Sequence, residues 1–295
     1  STDNDSSGLN VSTSSFAVSE NASQNATLTL TLNSMPYDNV TVNLNTDNIT
    51  YGGYATPDTL VFGPDNWSQN ATAIIRATDD FVDDGDDNGT DNTSFVITLD
   101  NTSSTASGDE KYNIGNVTLT GSLSENVTLY ALDNDTIGVR LTVLDNYTQE
   151  SDNSNTGNFT VALLSQPWPG ETVTVNLEGT TTNNSDHGIK LKDSDEGPKT
   201  SYITLTFDNS SWKTAQTVTV YPIDDLVDEG LIGIDNQSWK VEVSNLRSSL
   251  STSKYKKSKI SAYGGKTDNA SILVEDNDTR GLIITLRGST FILDN

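Results

Sequence analysis

The chain has 295 residues, 41 acidic against 16 basic, a formal net charge of -25, no cysteine, one methionine and one histidine. This composition excludes a disulfide framework, a thiolate or histidine-rich metal site and a cysteine nucleophile. It also opposes nucleic acid or anionic lipid as a partner, since both need a basic face.

Taken in chain order, Asp3-Asn4-Asp5 precedes Gly8-Leu9. Ala26, Leu28, Leu30 and Leu32 then alternate with Thr27, Thr29 and Thr31, and Val40, Val42 and Leu44 alternate with Thr41 and Asn43. A period of two with Thr and Val predicts strands with one buried and one wet face. Phe62-Gly63-Pro64-Asp65-Asn66-Trp67 leads to the acidic run Asp79-Asp80-Phe81-Val82-Asp83-Asp84-Gly85, and Asp133-Asn134-Asp135-Thr136 precedes Gly138-Val139. The same order then returns. Val173, Val175 and Leu177 alternate with Thr174 and Asn176, and Phe207 leads to Trp212. Asp224-Asp225-Leu226-Val227-Asp228-Glu229-Gly230 is the second acidic run, and Asp276-Asn277-Asp278-Thr279 precedes Gly281-Leu282.

An ordered internal repeat of this length predicts two tandem modules, residues 1–136 and 137–279, with 280–295 an additional apolar strand. No stretch carries a helical period, so the expectation is an all-β chain of two antiparallel sandwiches with about seven strands each. The second repeat inserts a polar stretch, Thr180 to Thr200, read as loop, and a basic stretch, Lys254, Lys256, Lys257 and Lys259. The basic stretch reads as a solvated loop or as a contact for an acidic surface on a neighbouring copy.

These residues resemble the Calx-β family of calcium-binding, immunoglobulin-like sandwiches found in exchangers, an integrin subunit and microbial surface proteins. The resemblance spans both repeats. It is carried by Val18-Ser19-Glu20, the approach from Phe62 to Trp67, the loop from Asp79 to Gly85 and the exit Asp133-Asn134-Asp135. It implies that the acidic elements converge at one end of each sandwich. By motif position the first calcium site uses Glu20, Asp79, Asp80, Asp84, Asp133 and Asp135. The second uses Glu150, Asp224, Asp225, Glu229, Asp276 and Asp278. Calcium takes six to eight oxygen ligands, so several carboxylates from separate loops suit it; without it they repel or merely terminate strands and cap turns. Two departures stand out: Gly53 precedes Tyr54 where the family carries an aspartate, and Leu231 follows Gly230 where an acid is expected. The first site therefore reads as the richer. A cation at each Asp-x-Asp would stiffen the joint to the next module.

Asn-x-Ser/Thr occurs about twenty times. Alternation in strands generates part of this, since Asn and Thr can face outward around an inward residue, as at Asn39, Asn116, Asn126 and Asn158. Others fall in loops, at Asn48, Asn88, Asn92, Asn101 and Asn209. N-linked glycans are expected at several of these nine. The sequons at Asn134 and Asn277 lie inside the acidic motif, where a glycan would crowd the ligands.

Sequons, absence of cysteine and an acidic surface point to an extracellular or cell-surface location, archaeal or bacterial. Ser1 in place of an initiator methionine reads as a processed or excised segment. Gly281 to Leu286 and Phe291-Ile292-Leu293 read as the opening of a further repeat, or as a strand donated head-to-tail to a neighbouring subunit. The leading functional expectation is a glycosylated structural subunit of a filament, stalk or coat. The alternative is an adhesin or carbohydrate-binding module, for which Trp168 between Pro167 and Pro169 is the better exposed tryptophan, although it reads first as packing at a hairpin end; Trp67, Trp212 and Trp239 read as packing residues. No motif for an enzyme is present: His187 lies in a polar loop with no nucleophile motif beside it.

Overall fold

The computed structural model describes residues 5–84, 92–104, 112–113, 118–121, 123, 125–150, 155–179, 188–193, 200–228, 236–256, 266–267, 269–279, 281–286 and 289–294. Among them the chain is all-β, with no α-helix, and no helix is long and apolar enough to cross a membrane. It divides into two units, Ser1–Asp135 and Thr136–Asn295.

The first unit contains β1 (Leu9–Thr13), β2 (Ala17–Ser19), β3 (Ala26–Leu32), β4 (Val40–Thr46), β5 (Gly53–Thr56), β6 (Thr59–Phe62), β7 (Ala71–Ala77), β8 (Asn92–Ser104), β9 (Leu119–Gly121) and β10 (Asn126–Leu132). They form two five-stranded sheets, in the orders β5-β7-β3-β1-β9 and β2-β10-β8-β4-β6. The second unit contains β11 (Gly138–Asp145), β12 (Tyr147–Gln149), β13 (Gly157–Leu163), β14 (Thr172–Gly179), β15 (Ile189–Asp193), β16 (Tyr202–Asp208), β17 (Gln216–Pro222), β18 (Asn236–Ser248), β19 (Lys266–Thr267) and β20 (Asn269–Glu275). Its sheets, β15-β17-β13-β11-β19 and β12-β20-β18-β14-β16, repeat the first pair strand for strand. Each unit is thus an immunoglobulin-like sandwich around its own core. The inward residues of β3 and β4 meet Phe62, Phe95 and Ile97 in one core. Phe159, Phe207, Trp239 and Ile272 belong to the other.

Among the described residues each sandwich has ten strands where the sequence predicts about seven; one of the extra strands arises because the first strand breaks and changes sheets. In the first unit Ser15 Oγ accepts from the Ala17 N–H at 3.1 Å, a local bond that interrupts the ladder. In the second, a bulge between Val143 and Asp145 and a bond from Tyr147 N–H to Asp145 Oδ1 at 3.1 Å do the same. The continuation lies parallel to the last long strand: β2 beside β10 and β12 beside β20. The sandwiches are therefore antiparallel apart from parallel pairs at the sheet edges, the others being β1 with β9 and β11 with β19.

Three further readings are corrected. Asn92 and Asn101, read as loop sequons, lie in β8, while Asn88 and Asn116 lie outside the described residues. The stretch read as a loop from Thr180 to Thr200 contains β15, whose Ile189 and Leu191 are buried. Only two apolar residues alternate there with Lys190 and Lys192, too few to stand out against the surrounding polar sequence. The C-terminal apolar segment is not a lone strand but two, β21 (Gly281–Leu286) and β22 (Ser289–Asp294), paired antiparallel in a sheet of their own.

Trp67 and Trp212 pack against the two cores, and Trp239 lies within the second. A second repeated device was not legible in the sequence. Tyr112 is buried and its hydroxyl donates to the Ser34 carbonyl at 2.6 Å; Tyr255 is buried and donates to the Ser165 carbonyl at 2.5 Å. Each anchors the segment after the long strand β8 or β18 to the end of β3 or β13. The basic stretch around Lys254 and Lys256 is held by this tyrosine; Lys257 and Lys259 lie outside the described residues.

Candidate metal centre

The parallel pairing of β2 with β10 builds the first acidic centre. Ser19 lies opposite Leu132, so the two strands end together and their next residues, Glu20 and Asp133, emerge side by side. The Glu20 N–H donates to the Leu132 carbonyl at 3.2 Å, extending the ladder by one bond. Asp133 then turns the chain: its Oδ1 accepts from the Asp135 N–H at 2.7 Å. Such an Asx turn folds the second aspartate back beside the first. One oxygen from each of Glu20, Asp133 and Asp135 lies within 4.8 Å of the others.

The acidic loop after β7 closes over this group. Asp84 N–H donates to the second oxygen of Asp133, Oδ2, at 2.9 Å. Asp80 Oδ1 accepts from the Val82 N–H at 2.8 Å. The residue between them, Phe81, adopts φ 69°, a left-handed conformation rare for a bulky side chain. It tightens the turn, leaves Phe81 outside and buries Val82 and Asp83.

The electrostatics are one-sided. Glu20 is 5% exposed. Burial first, then the like charges of Asp133 and Asp80, push its carboxyl up to about 9. Burial with Asp133 and Asp79 raises Asp80 to about 6, and burial with Asp133, Asp79, Asp80 and Asp83 raises Asp135 to about 6. Burial and the charges of Asp80 and Asp84 also raise the Tyr51 hydroxyl. Three oxygens, Glu20 Oε1, Asp80 Oδ2 and Asp135 Oδ2, are buried with no hydrogen-bond partner. Buried polar atoms are almost always paired, so three orphans at one centre mark a place where protons, water or a cation must satisfy them.

The second unit repeats the construction. Gln149 lies opposite Glu275, and the Glu150 N–H donates to the Glu275 carbonyl at 3.0 Å. Asp276 Oδ1 accepts from the Asp278 N–H at 2.7 Å. Oxygens of Glu150, Asp276 and Asp278 lie within 4.8 Å of one another. Glu150 is 1% exposed and Asp276 7%. Burial, then Asp276, Asp225, Asp224 and Asp228, raise the Asp278 carboxyl, whose Oδ2 is buried with no hydrogen-bond partner. The acidic loop is more open here: Leu226 is 92% and Val227 45% exposed, where Val82 is buried. Glu229 lies outside the described residues.

Of the residues read from the motifs, Glu20, Asp133 and Asp135 form the first centre, with Asp80 and Asp84 over it. Asp79 is exposed and acts on it through its charge. Asp224 and Asp225 act likewise on the second. Asp83, absent from the motif-based set, is buried and its charge acts on Asp135. Gly53, where the Calx-β resemblance implies an acid, is closely packed. A Cβ there would come within 2.4 Å of the Arg76 carbonyl and 2.7 Å of the Phe95 ring. The glycine lets β5 approach the core.

The donors are all oxygen, mostly carboxylate, and drawn from three separate segments. That set fits a hard divalent cation, which takes oxygen ligands, rather than a soft metal that selects thiolate or imidazole.

No protein-family model matches the chain, and no curated protein does. Solved structures similar to it include the D0-D1 domain of intimin, at 12% identity over 90% of this chain and 96% of that one, with a TM-score of 0.25. The Yersinia pseudotuberculosis adhesin InvE matches at 13% identity over 97% of this chain and 66% of that one, with a TM-score of 0.31. The CBD2 domain of Calx matches at 13% identity over 46% of this chain and 86% of that one, with a TM-score of 0.25. At these scores none assigns the chain a family or an activity.

Proposed function

We propose that this chain is a non-catalytic structural subunit of an extracellular filament, stalk or surface coat, built from Calx-β-like modules that each close one end around calcium. The observation that carries the reading is Glu20: a buried carboxylate with one orphan oxygen, surrounded by Asp133, Asp80 and Asp84, all of its own sign. A divalent cation removes that repulsion, and the same arrangement in the second unit makes it a property of the module. Asp135 belongs to the first centre, and Ile137, one residue beyond Thr136, to the core of the second unit. A connection that short gives calcium a means of stiffening the joint. N-glycans at outward-facing sequons and head-to-tail association through the β21–β22 hairpin complete the proposal.

Calorimetric titration tests the calcium part. About two calcium ions per chain and a higher melting temperature in calcium than in chelator are expected; no heat of binding and no shift would sink it. X-ray scattering tests the joint, since identical curves with calcium and with chelator would remove the stiffening. Negative-stain images showing only separate particles at all concentrations would remove the filament.

A second reading, an adhesin, has one supporting observation. Beside the turn that carries half-buried Trp168 lies a cavity of about 250 Å³ lined by Gly170, Glu171, Thr172, Asp208, Asn209 and Ser210. Glycan-array binding that disappears in Trp168→Ala would favour it.

A further inference from the structure

Asn134 stands between two members of the first centre, Asp133 and Asp135. Its backbone N–H and its side-chain Nδ2 both approach the same oxygen of Glu20, Oε2, at 3.3 and 3.4 Å. The other oxygen of Glu20, Oε1, is the buried orphan. Asn134 thus tethers one side of a carboxylate whose other side is left for the cation. In the second unit Asn277 stands between Asp276 and Asp278, and its Nδ2 donates to Asp224 Oδ1 at 3.2 Å. The partner differs, but the task is the same: the asparagine of the exit motif fastens a carboxylate from another segment.

Both asparagines are also sequon acceptors, through Thr136 and Thr279. N-glycosylation would attach a sugar to the nitrogen that does the fastening. Four other sequon asparagines make different bonds. Asn48 uses its Oδ1 to accept from the Tyr51 N–H at 3.1 Å, and Asn126 uses its Oδ1 to accept from Thr98 Oγ1 at 3.0 Å. Neither of these two bonds engages the nitrogen that carries a glycan. Asn158 and Asn209 do engage the glycan-bearing nitrogen, but with the backbone carbonyls of Thr156 at 3.2 Å and Pro167 at 3.0 Å rather than with a carboxylate of an acidic centre.

We propose that Asn134 and Asn277 are positioning residues of the two calcium centres, and that a glycan on either excludes calcium from its centre. This rests on the calcium reading above. Orientation of ligands by outer hydrogen bonds typically affects metal affinity by about 10- to 100-fold, so an Asn134→Ala chain should bind one of its two calcium ions that much more weakly. Thr136→Ala removes the sequon and keeps the amide, so its affinity should equal that of the wild type.

The experiment is calcium titration of the full chain and of N134A, N277A and T136A, each also melted in chelator. Glycopeptide mass spectrometry of calcium-saturated wild type from a glycosylating host accompanies it. Expected are weakened binding in N134A and N277A, unchanged binding in T136A, unchanged chelator melting temperatures and unmodified Asn134 and Asn277. Wild-type affinity in N134A and N277A would overturn the positioning role, as would lowered chelator melting temperatures in both, which mark a structural role. Full glycan occupancy at Asn134 in a chain binding two calcium ions would overturn the exclusion. A wild type that binds no calcium would instead sink the underlying reading, and this one with it.

Discussion

The Asp84 N–H donates to Asp133 Oδ2 at 2.9 Å, joining the acidic loop after β7 to the exit of β10 across almost fifty residues of chain. The other oxygen of Asp133 accepts from the Asp135 N–H. A single carboxylate therefore shapes both walls of the first centre without spending either bond on a side chain.

Replacing Asp133 by alanine should free two backbone donors and release the loop. Loss of the two bonds costs about 1–3 kcal/mol, seen as a lowered denaturation midpoint in chelator. Calcium titration should show one site lost and the other kept. Loss of both sites at once would mean that the centres are not independent.

The metal-free protein should become less stable as pH rises. Burial and like charges raise Glu20, Asp80 and Asp135 above the values of the unfolded chain. Between the two sets of values the folded form holds protons that the unfolded form has released, and stability falls with pH wherever the folded state binds more protons. The window opens near the ordinary carboxylate range, runs to about 6 for Asp80 and Asp135, and continues to about 9 for Glu20. Melting in chelator should therefore occur at a higher temperature at pH 5 than at pH 8, and saturating calcium should reduce or reverse the difference. A chelator melting temperature that climbs from pH 5 to pH 8 would contradict the assignment.

Installing by Gly53→Asp the acid that the Calx-β resemblance implies should not improve calcium binding. The position has no room for a Cβ beside the Arg76 carbonyl and the Phe95 ring. Overpacking of this kind costs about 1–3 kcal/mol, and Gly53→Ala should cost a similar amount in chemical denaturation. Tighter calcium binding by the aspartate variant would show that the backbone of β5 yields to make a ligand.

Tyr112→Phe and Tyr255→Phe should each destabilise their unit by about 1 kcal/mol, because the carbonyl of half-buried Ser34 or of buried Ser165 loses its hydroxyl donor. Calcium affinity should not change in either variant, as both anchors lie at the ends of β3 and β13 rather than at the acidic centres. Equal stability of variant and wild type in urea would mean that water replaces the hydroxyl.

Much of the architecture was written in the sequence: the repeat, the all-β class and the inward faces of β3, β4 and β14. Alternation is a local property, and each strand declares its buried face by the spacing of its own residues. The acidic motifs were equally visible, because they recur in order. Which carboxylates meet was decided by tertiary structure alone. Glu20 reaches Asp133, and Glu150 reaches Asp276, only because a broken first strand crosses to the other sheet and lies parallel to the last. No local pattern encodes that register. The same holds for the orphan oxygen of Glu20, the amide of Asn134 fastened to the other oxygen of that carboxylate and the closed space at Gly53. Burial and pairing are relations between segments brought together by the fold, while composition and period describe each segment by itself.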